Sequence, residues 1–195
     1  MITGAIFDVD GTILNSLELW ENLGSRYLLQ KNITPEKNLN VILEDFTILE
    51  SSQYLKDHYQ IKDPINQIKI DILRLITNFY QYEATLMPGI LKNLKILANY
   101  KIPLAIATNN DYKLVAMALK RLGIFNYFKV ILTTDDLHTS KRSALIYLTA
   151  AQKIASIPQN TLVFEDTNLP IKTAMKAGFK VINVTKPFNL KEIIL

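Results

Sequence analysis

Asp8-Val9-Asp10-Gly11-Thr12 sets two carboxylates two residues apart, directly after a short apolar run, Ala5-Ile6-Phe7. One such carboxylate could attack a phosphorus atom while the other moves a proton to the leaving oxygen. Gly11 would let the chain turn sharply behind them. The same five residues also fit an Asp-rich turn, so the pair alone leaves both readings open. Other apolar runs end in a similar way. Pro103-Leu104-Ala105-Ile106-Ala107 stops at Thr108-Asn109-Asn110, Lys129-Val130-Ile131-Leu132 at Thr133-Thr134-Asp135-Asp136, and Thr161-Leu162-Val163-Phe164 at Glu165-Asp166. Carboxylates brought together at such ends repel unless a cation sits between them. The chain has no Cys and only two His, His58 and His138, so the donors on offer are oxygens. That set favours a hard divalent ion, magnesium first.

Elements that could hold these residues alternate along the chain. The short continuous apolar runs suit parallel strands buried on both faces. Helical spacing separates them, from Pro88 to Asn99, Asp111 to Leu122, Ser140 to Ala155 and Leu169 to Ala177, with Gly123 and Gly178 as stops. Strand–helix alternation predicts an α/β protein with a doubly wound, Rossmann-like parallel sheet, whose ligands bind beyond the carboxyl ends of the strands. The stretch 15–85 differs, having helical periodicity and almost no strand signal. Leu17, Trp20, Leu23 and Leu28 fit one amphipathic helix, and Ile65, Ile68, Ile72, Leu75, Ile76 and Phe79 fit another. The expected organisation is an α/β core of residues 1–14 and 86–195, with a small all-helical cap, 15–85, inserted after the first strand.

Composition narrows the function classes. At 195 residues, 49% hydrophobic and 21% charged, the chain has ample apolar surface to bury and is not a disordered tail. Absence of Cys removes disulfide scaffolds and thiol nucleophiles. The pI near 9.1 invites a nucleic-acid reading. Its distribution argues against one: residues 15–85 hold 7 Lys+Arg against 10 Asp+Glu, net −3, and the remainder 15 against 8, net +7, as scattered lysines. No apolar run approaches the ~18 residues of a membrane span. The first residues carry no basic stretch of a signal peptide. The expectation is a cytoplasmic protein with neither nucleic acid nor membrane as partner. Gly-x-Gly-x-x-Gly and Gly-x4-Gly-Lys-Ser/Thr are both absent, which removes dinucleotide and NTP-cradle readings.

Phe7-Asp8-Val9-Asp10-Gly11-Thr12 resembles the first motif of the haloacid dehalogenase-like hydrolases. Ala107-Thr108-Asn109-Asn110 resembles their second motif, Lys141 stands where the third motif's lysine belongs, and Val163-Phe164-Glu165-Asp166 resembles the fourth. The four occur in order and span nearly the whole chain, and the nearest branch is the beta-phosphoglucomutase-like phosphatases. The resemblance implies a Mg2+-dependent phosphatase for a small phosphorylated metabolite, such as a sugar phosphate. In it Asp8 would be the nucleophile that forms an aspartyl-phosphate, and Asp10 the general acid and then the base. Magnesium would be held by Asp8, the Asp10 carbonyl and Asp166, with Glu165 beside it. Thr108 and the Asn109 amide would hold phosphoryl oxygens that Lys141 neutralises. These roles suit a transition state that spreads negative charge over its equatorial oxygens.

Departures from the family pattern keep alternatives in view. Ser140-Lys141-Arg142 replaces the usual Gly-Lys-Pro, which leaves Lys141 less constrained and offers Arg142 as a substitute. Asn15 replaces an aspartate often found after the first motif, and Trp20 stands in the region where a mutase of the branch has a cap histidine. The acidic cap disfavours the second phosphate of a bisphosphate-using mutase. The alternatives are a phosphoglucomutase-like phosphoryl transfer and a non-catalytic phosphate-binding module on the same fold. A phospho-accepting receiver module fits poorly, since it is shorter, lacks a helical insert after its first strand, and needs its acceptor Asp where this chain has Thr108. Trp20 reads as a packing anchor, His58 as exposed, His138 as a loop residue, and Asp135 and Asp136 as caps.

Overall fold

The computed structural model describes residues 1–44 and 46–194. In chain order the strands are β1 (Gly4–Phe7), β2 (Leu14–Asn15), β3 (Thr85–Leu86), β4 (Leu104–Thr108), β5 (Phe128–Thr133), β6 (Thr161–Glu165) and β7 (Lys180–Asn183). The helices are α1 (Leu17–Glu21), α2 (Leu23–Gln30), α3 (Leu39–Leu43), α4 (Ile48–His58), α5 (Ile65–Asn78), α6 (Ile90–Asn99), α7 (Tyr112–Arg121), α8 (Leu145–Lys153), α9 (Asn168–Lys176) and α10 (Leu190–Ile194). Five strands form one parallel sheet in the order β5-β4-β1-β6-β7, while β2 and β3 pair as a separate antiparallel ribbon. The doubly wound α/β architecture with a helical insertion after β1 is the one expected.

Burial explains why β1 is central. Its four residues are all buried, and parallel ladders to β4 and β6 flank it. Gly4 is required there, because a Cβ would meet Ser156 Cβ at 2.7 Å and Ile154 Cδ1 at 2.8 Å. Side chains alternate across the sheet. Ile6, Ala105, Ala107 and Val163 join a core with Ile146, Tyr147, Ala150 and Ala151 of α8 and Ala174 of α9. Phe7 instead stacks on Phe164, with ring centroids 4.2 Å apart, and meets the edge of Phe128. The chain leaves β1 for β4 and β5 on one side, then returns to β6 and β7 on the other, so the strand order reverses between β1 and β6. A crevice at such a reversal is where open α/β sheets bind ligands. Asp8 and Glu165 stand at the carboxyl ends of these two strands.

The described residues divide into two units, Met1–Asn15 with Ala84–Leu195, and Ser16–Glu83. The second unit is helical. One face of α5 buries Ile68, Ile72 and Ile76, and its neighbours are α2 and α4. Thr47 and Glu50 form a reciprocal capping box that starts α4. The single helix expected through Leu17, Trp20, Leu23 and Leu28 is instead two, α1 and α2, broken at Asn22. At Gly24 in α2 a Cβ would lie 2.5 Å from Leu43 Cδ1, so the Leu43 side chain of α3 packs directly against the bare backbone there. Trp20 is 38% exposed and donates its indole N–H to the Tyr80 hydroxyl at 3.2 Å. His58 is exposed, stacked on Tyr54 and 3.3 Å from Glu36. Among the described residues, no helix is long and apolar enough to cross a membrane.

Candidate active site

The β1 ladder carries Asp8 into the site. Its backbone N–H still donates to Phe164 O at 3.0 Å, which holds the residue in the sheet, and its side chain is 9% exposed. The chain then folds back on itself. Val9 O accepts from Ile13 N at 2.9 Å and Leu14 N at 2.8 Å, and Gly11 N donates to Leu14 O at 2.9 Å. Gly11 makes this loop possible at φ +79°, a left-handed conformation costly for other residues. Thr12 is buried in the loop, and its hydroxyl meets no partner among the described residues.

Lys141 follows Ser140 into a turn ahead of α8. That helix begins at Leu145, not at Ser140 as its spacing suggested, because Ser140 and Ser143 accept backbone N–H groups in successive turns. The turn sends Lys141 inward, to 5% exposure, and leaves Arg142 exposed. Lys141 Nζ donates to Asp8 Oδ1 and, at 2.6 Å, to Glu165 Oε1. Glu165 ends β6 at 1% exposure and accepts a second bond on Oε1, from the Tyr147 hydroxyl of α8 at 2.6 Å. Asp166 is half-buried and accepts from Thr167 Oγ1 at 2.9 Å.

Carboxylate oxygens of Asp8, Glu165 and Asp166 lie within 4.8 Å of one another. Three carboxylates outnumber the one ammonium beside them, an excess of acidic groups that a divalent cation would balance. The donors are all oxygens, as a hard cation requires, so the residues present fit magnesium. Burial, the largest influence, pushes the Asp8 carboxyl up to about 7 against the pull of Lys141, and the Glu165 and Asp10 charges add to the rise. Burial works against the charge on Lys141 too, but Asp8 and Glu165 outweigh it and hold the ammonium above the ordinary lysine range. Burial and then the Glu165 charge raise the Tyr147 phenol, so it remains a donor at neutral pH.

Beside this cluster, Thr108 ends β4 fully buried, with its carbonyl accepting from Thr134 N at 2.9 Å. Thr108 Oγ1 accepts from Asn110 N at 3.0 Å. Asn109 is exposed, while Asn110 turns back and donates from Nδ2 to Asp10 Oδ2 at 2.9 Å. Asp111 caps α7 through Lys113 N and Leu114 N. Asp136 exchanges bonds with Thr133 in a local turn, and His138 takes a left-handed loop conformation. The structure therefore gathers Asp8, Lys141, Glu165 and Asp166, and joins Thr108 and Asp10 through the bonds of Asn110. Sequence reasoning assigned no part to Tyr147 or to Asn110's side chain. A tyrosine on an apolar helix face reads as core, and no spacing in the sequence marks it otherwise.

The haloacid dehalogenase-like hydrolase family model matches residues 5–184, and the chain belongs to that family. Among its relatives, a candidate phosphatase of Bacillus subtilis, YhcW, is 28% identical over 186 residues, covering 94% of this chain and 84% of its own. A phosphorylated carbohydrates phosphatase of Thermotoga maritima is 24% identical over 177 residues, covering 91% and 82%. In structure, a candidate beta-phosphoglucomutase of Thermotoga maritima superposes with a TM-score of 0.84 at 23% identity, over 92% of this chain and 84% of that one. The last of these establishes the shared fold.

Proposed function

We propose that this chain is a magnesium-dependent phosphatase that hydrolyses a small phosphomonoester, a sugar phosphate or similar metabolite, through an aspartyl-phosphate on Asp8. The observation that carries this reading is the convergence of Asp8, Glu165 and Asp166 around a buried Lys141, with Asp10 on the adjoining loop. The phosphorylated carbohydrates phosphatase among its relatives supports the substrate class. Magnesium, held by Asp8, Glu165, Asp166 and the Asp10 carbonyl, would supply positive charge to the phosphoryl oxygens. An Asp8 carboxylate oxygen bonds to phosphorus as the ester P–O bond breaks, and Asp10 gives its proton to the leaving oxygen. Asp10 then takes a proton from water as that water's oxygen displaces Asp8, releasing phosphate and restoring the Asp8 carboxylate and the Asp10 carboxylic acid. Thr108 and the Asn109 amide hold the phosphoryl oxygens, and Lys141 balances their charge.

The helical unit favours hydrolysis over mutase chemistry. A mutase that works through a bisphosphate needs cations for its second phosphate. Arg26 is paired with Glu83 at 3.2 Å, Lys31 with Asp63 at 2.7 Å, and Lys56 donates to Ile61 O and Asp63 O. A cavity of the unit, about 370 Å³, is lined by Trp20, Phe46, Glu21 and Glu44, with no Lys or Arg among its described lining residues. The test is phosphate release from a panel of phosphomonoesters, with magnesium and with chelator, by the native protein and by Asp8→Asn. Magnesium-dependent release that Asp8→Asn loses is expected. Turnover only in the presence of a bisphosphate primer would favour the mutase, and no phosphoryl transfer at all the binding module.

A further inference from the structure

We infer that Asn110 is a positioning residue for the acid–base carboxylate, one that fixes which oxygen of Asp10 is turned to the leaving group; this rests on the phosphatase reading above. The orientation of the Asn110 amide is set by its neighbours. Its Oδ1 accepts from the Asp111 backbone N–H at 2.8 Å, and a backbone N–H can only donate, so the oxygen end is spoken for. Nδ2 is then the end that faces Asp10 Oδ2, at 2.9 Å across one hundred positions of sequence. An amide NH2 donates and never accepts. Oδ2 therefore accepts from the amide, and the proton exchange with substrate falls to Oδ1.

The support behind Asn110 is rigid. Its own N–H donates to Thr108 Oγ1 at 3.0 Å, at the end of the buried strand β4. Asp111, which holds the amide oxygen, is itself fixed by Lys113 N at 2.8 Å and Leu114 N at 3.2 Å at the start of α7. One residue thus ties the threonine assigned to the phosphoryl group and the carboxyl assigned to the leaving group to the same turn. In the first step the leaving oxygen takes the proton from Asp10 Oδ1 as the ester bond breaks, and Oδ2 stays on the amide throughout. In the second step Oδ1 takes a proton from water as that water's oxygen bonds to phosphorus and the bond to Asp8 breaks. The acid therefore presents the same oxygen in both directions.

Leaving-group dependence separates this role from a merely structural one. An alkyl phosphomonoester releases an alkoxide that needs the proton, whereas p-nitrophenyl phosphate releases a phenolate that does not. kcat/KM covers the steps through the first irreversible one, formation of the aspartyl-phosphate. With saturating magnesium, Asn110→Ala should lower kcat/KM for an alkyl ester by roughly 10–100-fold, the scale of a misplaced catalytic group, while changing that for p-nitrophenyl phosphate by less than about 3-fold. Asn110→Asp, which keeps the shape and removes the donor, should show the same split. Equal falls on both esters in the two variants would overturn the inference and leave the phosphatase reading standing. No phosphate release from either ester by the native protein would overturn that reading, and this inference with it.

Discussion

Replacing Lys141 with methionine removes the one ammonium that bonds Asp8 and Glu165 and leaves the volume nearly filled. Lys141 is 5% exposed, and the side chains on either side of it are 9% and 1% exposed. The variant strands two carboxylates, with Asp166 close by, in a space that water hardly reaches. Like charges about 4 Å apart at an effective dielectric near 20 repel by about 4 kcal/mol. Breaking a buried ion pair by deleting one partner costs about 3–5 kcal/mol, so the two routes agree. For a chain of this size, about 2–4 °C per kcal/mol translates the loss into a fall of roughly 6–20 °C in Tm. The loss should be smaller at pH 5 than at pH 8, because a protonated Asp8 no longer repels its neighbours. Added magnesium should raise the Tm of Lys141→Met more than that of the native protein, by restoring a cation to the cluster. Turnover should fall by about 10²–10³-fold through lost stabilisation of the phosphoryl charge. Calorimetry in chelator and in magnesium reads all but the last. A Tm in chelator within about 2 °C of the native value would refute the reasoning, since it would mean that the pair never carried the electrostatic load.

Three further outcomes follow from named contacts. Asp10→Asn should slow turnover by roughly 10²–10⁴-fold yet keep magnesium binding, measured by titration calorimetry, because its carbonyl is the assigned ligand. Tyr147→Phe removes a donor to the buried Glu165 carboxylate, and a fall in stability of about 1.5–3 kcal/mol by urea melts is expected. In the helical unit, burial pushes the Asp71 carboxyl up, but Gln67 and Lys31 outweigh it and hold it below the ordinary range. A depressed carboxyl adds stability above its unfolded pKa and loses it as pH falls through the folded value. The stability gap between native and Asp71→Asn should therefore be full at pH 7 and shrink below about pH 4 in urea melts.

Much of the sheet was legible because a strand buried on both faces must be apolar along its length and must stop where the chain meets polar chemistry. Phe7, Thr108 and Phe164 mark such stops, and parallel connectivity then brings their ends to one edge. Two adjacent acids ending an apolar strand also signalled a partner: Glu165 has two, Lys141 and Tyr147. What stayed hidden depends on direction and not on residue type. Helical spacing before Leu145 could not show that serine side chains tighten residues 140–144 into turns that aim Lys141 inward. Leu17 to Leu28 has the periodicity of one helix, and the periodicity does not register the non-helical backbone at Asn22 that makes it two. Asn109 and Asn110 are chemically identical in sequence, yet one faces solvent and the other holds Asp10. That difference belongs to the turn geometry set by Asp111.

The central claim is covalent catalysis by Asp8, and trapping the intermediate tests it most directly. The native protein, mixed with a phosphomonoester and magnesium and quenched in acid, should yield a peptide carrying a phosphoryl group on Asp8. Asp8→Asn should yield none and release no phosphate. A phosphoryl group on another residue, or retained turnover in Asp8→Asn, would contradict the account.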